Sequence, residues 1–144
     1  MKLTTLLTLT SCAVIAAAQR SFIRSPPSGA NIVHGRRFTV QVIRPNSIQG
    51  STEVGMIIGL VSCAAEPNDG VCPPPEEQVG RVLFNGDFNP ALHEIPGEPY
   101  QNFTVTVPND FPLGLAQLST GRFHLIGAGP SPVLELNNVT VNVV

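Results

Sequence analysis

The amino-acid sequence predicts an all-β protein, and three observations carry that expectation. Apolar and polar residues alternate with a period of two in several short runs, clusters of Pro, Gly, Asn and Asp separate those runs, and helical spacing of apolar residues is nearly absent. The pattern is densest over residues 102–144. There Phe103, Val105 and Val107 alternate with Asn102, Thr104 and Thr106, Phe123 and Leu125 with Arg122 and His124, and Val139, Val141 and Val143 with Asn138, Thr140 and Asn142.

Met1-Lys2 and the apolar run 3–18, ending in Ala16-Ala17-Ala18, have the basic start, apolar middle and small-residue end of a secretory signal peptide. Cleavage is expected after Ala18, giving a mature chain that starts at Gln19. The run is too short to span a bilayer. No second run of spanning length follows, and the carboxyl end reads as a strand and not as a lipid-anchor signal. The expectation is a secreted, extracellular protein with one domain over residues 19–144 and no membrane insertion.

Lys2 is the only lysine, so the mature chain carries seven arginines against ten acidic residues, a formal charge of −3. A nucleic-acid binder displays a basic patch, and none is present here, so no nucleic-acid partner is expected. Cys12 falls in the leader and leaves Cys63 and Cys72, an even pair expected to bond in an oxidising compartment. No histidine lies close enough to make that pair a metal site.

Taken in order, residues 20–30 read as an extended edge strand interrupted by Pro26-Pro27, with a turn at Ser28-Gly29. A second turn at His34-Gly35 leads to a half-buried strand in which Phe38, Val40 and Val42 alternate with Arg37, Thr39 and Gln41. Residues 54–61 are apolar on both phases and read as a central strand, with Gly55 and Gly59 allowing close approach of a neighbour. Residues 66–78 hold four acidic residues and four prolines and read as a surface loop. A short strand at 79–84, a second long loop at 85–99 and the strands of 102–144 complete the chain. Leu134 and Leu136 lie on the opposite phase from Val139, Val141 and Val143, which predicts a bulge near Asn137-Asn138 or a change of sheet.

About seven short antiparallel strands without helices favour an immunoglobulin-like β-sandwich over a barrel. The predicted core is Phe38, Val40, Val42, Met56, Ile58, Leu60, Val82, Phe84, Phe103, Val105, Leu115, Leu118, Phe123, Leu125, Val139 and Val141.

No catalytic, cofactor-binding or metal-binding residues are predicted, and the chain is not read as an enzyme. His34, His93 and His124 sit in separate segments without metal-pair spacing, and Ser62 lies outside a nucleophile elbow. A secreted copper oxygenase would need histidine where Gln19 begins the mature chain. Glu76-Glu77 and the pair Glu94 and Glu98 resemble acid/base dyads but are equally explained as solvated loop carboxylates, and a lone Tyr100 without tryptophan makes a poor sugar platform. Asn102-Phe103-Thr104 and Asn138-Val139-Thr140 are N-glycosylation sequons on the polar phases of their strands.

Several segments together carry a family resemblance: residues 47–54 (SIQGSTEV) running into an apolar Gly-containing strand, Asn102-Phe103-Thr104-Val105 with Pro108 after it, and Ser131-Pro132-Val133-Leu134 through Asn138-Val139-Thr140-Val141. In order and spacing over residues 22–144 the chain resembles the fungal necrosis-inducing secreted protein effectors. The resemblance implies a small immunoglobulin-like protein that damps plant immunity by binding host proteins such as immune receptor kinases, and that provokes cell death. The loop between Cys63 and Cys72 reads as a local elaboration. A second likeness, Ile23-x-x-Pro26-x-x-Gly29 with Gly35, is to the amino-terminal module of fungal cell-wall glucan-assembly proteins. It implies the alternative of a structural module associated with cell-wall polysaccharide.

Overall fold

A computed structural model describes residues 20–48 and 50–144. The leader expected at 1–18 and its cleavage site before Gln19 lie outside the described residues. The described chain is all-β, with eight strands: β1 (Phe22–Ser25), β2 (Ala30–Ile32), β3 (Arg37–Ile43), β4 (Ser51–Ser62), β5 (Arg81–Gly86), β6 (Tyr100–Thr106), β7 (Gly114–Ile126) and β8 (Ser131–Val143). They form two sheets in a sandwich-like arrangement, one ordered β1-β3-β6 and the other β2-β8-β7-β4-β5.

Two corrections to the expected seven antiparallel strands follow. The opening segment divides into two strands because Pro26-Pro27 end β1, which pairs with β3, before β2 begins. β2 then runs parallel to β8, pairing Ala30 with Val141 and Ile32 with Val143. One short segment therefore serves both sheets.

The inner face of the larger sheet is read along its cross-strand rows. Leu60, Leu118 and Val139 form one row across β4, β7 and β8; Ile58, Thr120 and Asn137 form the next; Met56, Arg122 and Glu135 form the third. The core changes from aliphatic to polar and then to charged along the strands. Opposite it, Val40, Val42, Phe103 and Val105 supply the inner face of the smaller sheet. On the β5–β6 flank, Phe84 packs on Phe103 with ring centroids 4.7 Å apart and Phe88 lies 6.1 Å from Phe103. Burying Phe88, on the loop after β5, contributes roughly 1.5–3 kcal/mol.

Most of the expected core is buried, but Phe123 is 40% and Val82 51% exposed, and Leu115 is also on the surface. Phe38, Phe84, Leu125 and Val139 are half-buried. The predicted bulge in β8 is absent, since β7 and β8 pair in unbroken register from Gly114 and Val143 to Ile126 and Ser131. Phe123 and Leu134, 61% exposed, are register partners on the outer face, while Arg122 and His124 turn inward at 2% and 1% exposure. The physical reason is that Arg122 has carboxylates waiting inside. Hydrophobicity alone assigned the wrong face to that end of the strands.

Candidate interaction surface

The inward facing of Glu53 depends on a bulge in β4. Glu53 pairs with His124 and Gly55 with Phe123, so Val54 is an extra residue that reverses the phase of the strand. Met56, Ile58 and Leu60 face inward on one side of it, and Ser51 and Glu53 do so on the other. Arg122 then donates through Nε and Nη2 to the two oxygens of Glu53 at 2.7 and 2.6 Å, and through Nη1 to Glu135 Oε2 at 2.9 Å. Its Nη2 also donates to Ser51 Oγ at 3.1 Å. Ser21 donates its backbone N–H and its hydroxyl to Glu135 Oε2, at 3.2 and 2.8 Å. Arg44, with Nη1 3.3 Å from Ser51 Oγ and 3.9 Å from Glu53 Oε1, completes the group.

Burial pulls the Arg122 guanidinium down, but the hydrogen bonds and charges of Glu53 and Glu135 outweigh it and raise its pKa. For Glu135, burial is likewise outweighed, by Ser21 and Arg122, and its pKa is lowered. His124 is held below the ordinary imidazole value by burial first and by Arg122 second, and its Nδ1 is buried without a hydrogen-bond partner among the described residues. This cluster fastens β4, β7, β8 and Ser21 together. The sequence reading missed it; the signal that could have found it is a strand pair carrying Arg122 and Glu135 between apolar neighbours.

At the opposite end of β4, Cys63 and Cys72 are bonded with Cα atoms 4.6 Å apart, within the usual disulfide range. Inside the bridge, Asp69 (φ 46°) and Gly70 (φ 88°) form a tight turn closed by Val71 N–H to Asn68 C=O at 2.9 Å. Both central residues occupy left-handed backbone, which Asp tolerates and Gly adopts freely. Asn68 Nδ2 donates to Ser62 C=O at 2.7 Å, and Gln117 Nε2 donates to Pro73 C=O at 2.7 Å. The loop is thus drawn against the sheet end from both sides of the bridge. Glu66, Asp69, Glu76 and Glu77 stay exposed, making an acidic, proline-rich rim. Between the rim and the turn after β6 lies a cleft of about 530 Å³, whose lining includes Glu66, Glu77, Arg81, Asp110 and Phe111. The hydrogen bond from Arg81 is the main cause holding Asp110 below its ordinary carboxylate pKa.

The remaining sequence candidates are dispersed. Asn102, exposed on β6, accepts from Gln41 Nε2 at 3.1 Å. Asn138, exposed on β8, donates to Gln117 Oε1 at 2.9 Å. The two sequons therefore lie on the outer faces of different sheets. Glu98 is ion-paired with Arg24, whereas Glu94 accepts from the Tyr100 hydroxyl at 3.3 Å, so these carboxylates serve separate partners. His93 stacks on Tyr100 at 3.9 Å. Among the described residues, no group of three or more His, Cys, Asp or Glu is placed to hold a metal.

Two facing β-sheets with a disulfide-pinned loop define a small disulfide-bonded β-protein whose evident feature is a shaped rim. The chain belongs to the Nis1 family, whose model matches residues 16–142. Nis1 denotes a necrosis-inducing secreted protein, so the membership and the disulfide both fit a secreted fungal effector. No curated protein matches the chain.

Proposed function

We propose that this protein is a secreted effector that acts by binding and not by turnover, damping host plant immunity through contact with immune receptor kinases. The observation that carries the reading is membership of the Nis1 family across residues 16–142. The ordered acidic rim beside the cleft supports it, because a loop held by a disulfide and side-chain hydrogen bonds loses little further freedom on binding. In this reading residues 1–18 are the leader, and Asn102 and Asn138 carry glycans.

The fold is read as immunoglobulin-like. The strand order supports this: first, third and sixth strands in one sheet, fourth, fifth, seventh and eighth in the other, with the opening segment divided between them. The inter-sheet disulfide of antibody domains is replaced by a local bridge after β4.

The test is a pull-down of the secreted chain against plant receptor-kinase domains, paired with immune output in leaves expressing it. Binding with reduced output is expected. No binding together with unaltered output rejects the reading. Retention of the protein in the insoluble wall fraction would turn the assignment toward a polysaccharide-associated module. Intact-mass analysis of the secreted chain reads the cleavage site and both sequons.

A further inference from the structure

The hydrogen bonds of the two sequon asparagines set where the nitrogen of each carboxamide points. On β6, Asn102 Oδ1 accepts from Gln41 Nε2 at 3.1 Å, and its Nδ2 has no partner among the described residues. On β8 the order is reversed. Pro73 C=O can only accept, so Gln117 must present Nε2 to it, at 2.7 Å, and turn Oε1 the other way. Asn138 then meets that oxygen with Nδ2, at 2.9 Å. A carbonyl on the disulfide loop thus fixes, through Gln117, the direction of the nitrogen that would bear a sugar.

The surroundings of Asn138 match that direction. Gln117 and Ser119 lie on the outer face of β7, yet they are 3% and 0% exposed. The limb of the loop held at Pro73, and lying over Gly59 at Val79, is their cover. This cover ends at β8, because Asn138, the register partner of Ser119, is exposed. Asn138 therefore stands at the margin of the loop with Nδ2 aimed toward it.

We propose that Asn138 carries an N-linked glycan whose first N-acetylglucosamine lies against Pro73-Pro74-Pro75, making the sugar part of the rim, whereas a glycan on Asn102 leads away into solvent. The transfer forms the Nδ2–C1 bond and breaks the C1–O bond of a lipid-diphosphate-linked oligosaccharide, releasing one Nδ2 proton and the lipid diphosphate. The amide keeps its other N–H, which holds the bond to Gln117. Pro74 is exposed and Pro73 and Pro75 are half-buried, so the carbon-bound hydrogens of the sugar ring meet apolar surface that would otherwise face water. In the folded chain the Thr140 hydroxyl shares a hydrogen bond with Ser28 Oγ at 2.9 Å, and β8 is paired on both sides, so the transfer precedes the closing of β8 between β7 and β2. With sugar on the β8 side of the limb, the cleft beside Arg81 on β5 is left as the open face of the rim. The inference rests on the secretory reading above and on no host target.

Asn102→Gln, which leaves the Asn138 sequon alone, is produced in a eukaryotic secretory host and trimmed by an endoglycosidase to a single N-acetylglucosamine. The same variant from the bacterial periplasm, where the bridge forms without sugar, is the reference, and the wild-type chain prepared both ways repeats the comparison without a substitution. Mass mapping is expected to find the sugar on Asn138, and NMR to show nuclear Overhauser contacts from its acetamido methyl to the ring protons of Pro73-Pro74-Pro75. A glutamate-specific protease is expected to cut after Glu76 and Glu77 several-fold more slowly than in the reference, since cutting follows opening of the loop. A secreted chain without sugar on Asn138 overturns the inference, and sugar on Asn102 in that same chain would leave the secretory reading standing. Contacts only to Ser28 and Gly29, on the other side of β8, overturn it as well, and so do equal cutting rates.

Discussion

Arg122 and Glu135 are cross-strand partners on β7 and β8 whose side chains turn inward and meet at 2.9 Å inside the sandwich. With Glu53 holding the other side of the guanidinium at 2.6 Å, one cation neutralises two carboxylates. Arg122→Met removes the cation and leaves Glu53 and Glu135 facing each other with little solvent. The expected loss is about 3–5 kcal/mol, the usual range for an uncompensated buried charge. Chemical denaturation of the variant measures it, and a loss well below 1 kcal/mol would mean that water already screens the site.

The same cluster sets an acid limit on stability. His124 has a folded pKa below its ordinary value of 6.5, and Glu135 one below its ordinary 4.5. Each group binds a proton less readily folded than unfolded, so its stabilising contribution is present above the unfolded pKa and is lost as pH falls through the folded one. The melting temperature is expected to decline as pH drops below about 6.5 and again below about 4.5. In His124→Gln the first decline should disappear while the second remains. Thermal melts from pH 7.5 to 3 read both.

Removing the bridge with Cys63→Ser and Cys72→Ser together is expected to leave a folded protein that is less stable by about 2.5–3 kcal/mol, from the chain entropy of a ten-residue ring. The main core lies away from this loop, so the sheets should persist while residues 64–79 become open to protease. Limited proteolysis with mass mapping shows where the chain is cut. Complete unfolding of the double variant would mean that the core contributes less than its burial implies.

Gly59 on β4 lies under the loop that returns to β5. A Cβ placed there would sit 2.2 Å from Val79 C=O, a contact with backbone that no side-chain rotation relieves. Gly59→Ala should therefore destabilise the fold by about 1–3 kcal/mol through overpacking. Gly55→Ala is the internal control, since its Cβ would meet only Gly86 C=O at 3.6 Å. Equal melting temperatures for the two variants would remove the close-approach account.

The sheet positions were legible where period-two alternation and hydrophobicity agreed, as in Phe103 and Val105 on β6 or Val40 and Val42 on β3. They were not legible where a charged residue faced inward. Phe123 and Leu125 look like core and Arg122 and His124 like surface until Glu53 and Glu135 are known to converge on Arg122, and those partners are 69 and 13 residues away in sequence. Phe88 and Phe111 were missed because loop residues have no period to read, although both are buried. The disulfide pairing was readable from cysteine count and compartment. The acidic rim was readable only as composition, since the Asp69-Gly70 turn and the grip of Gln117 on Pro73 arise from the folded loop.

The extra residue at Val54 has a consequence for how this chain tolerates change. Val54 is 48% exposed, so replacing its side chain should cost little. Deleting it would close the two-against-one step and set Glu53 directly before Gly55, in the regular period-two alternation of a strand. A one-codon deletion there would leave Glu53 opposite His124 and facing inward to Arg122, whereas a Val54 drawn into regular pairing would take that inward place and turn Glu53 to solvent. At this site the interior is set by which residue the strand leaves out of the ladder, and a chain one residue shorter would keep the same inward faces without the bend that the extra residue adds.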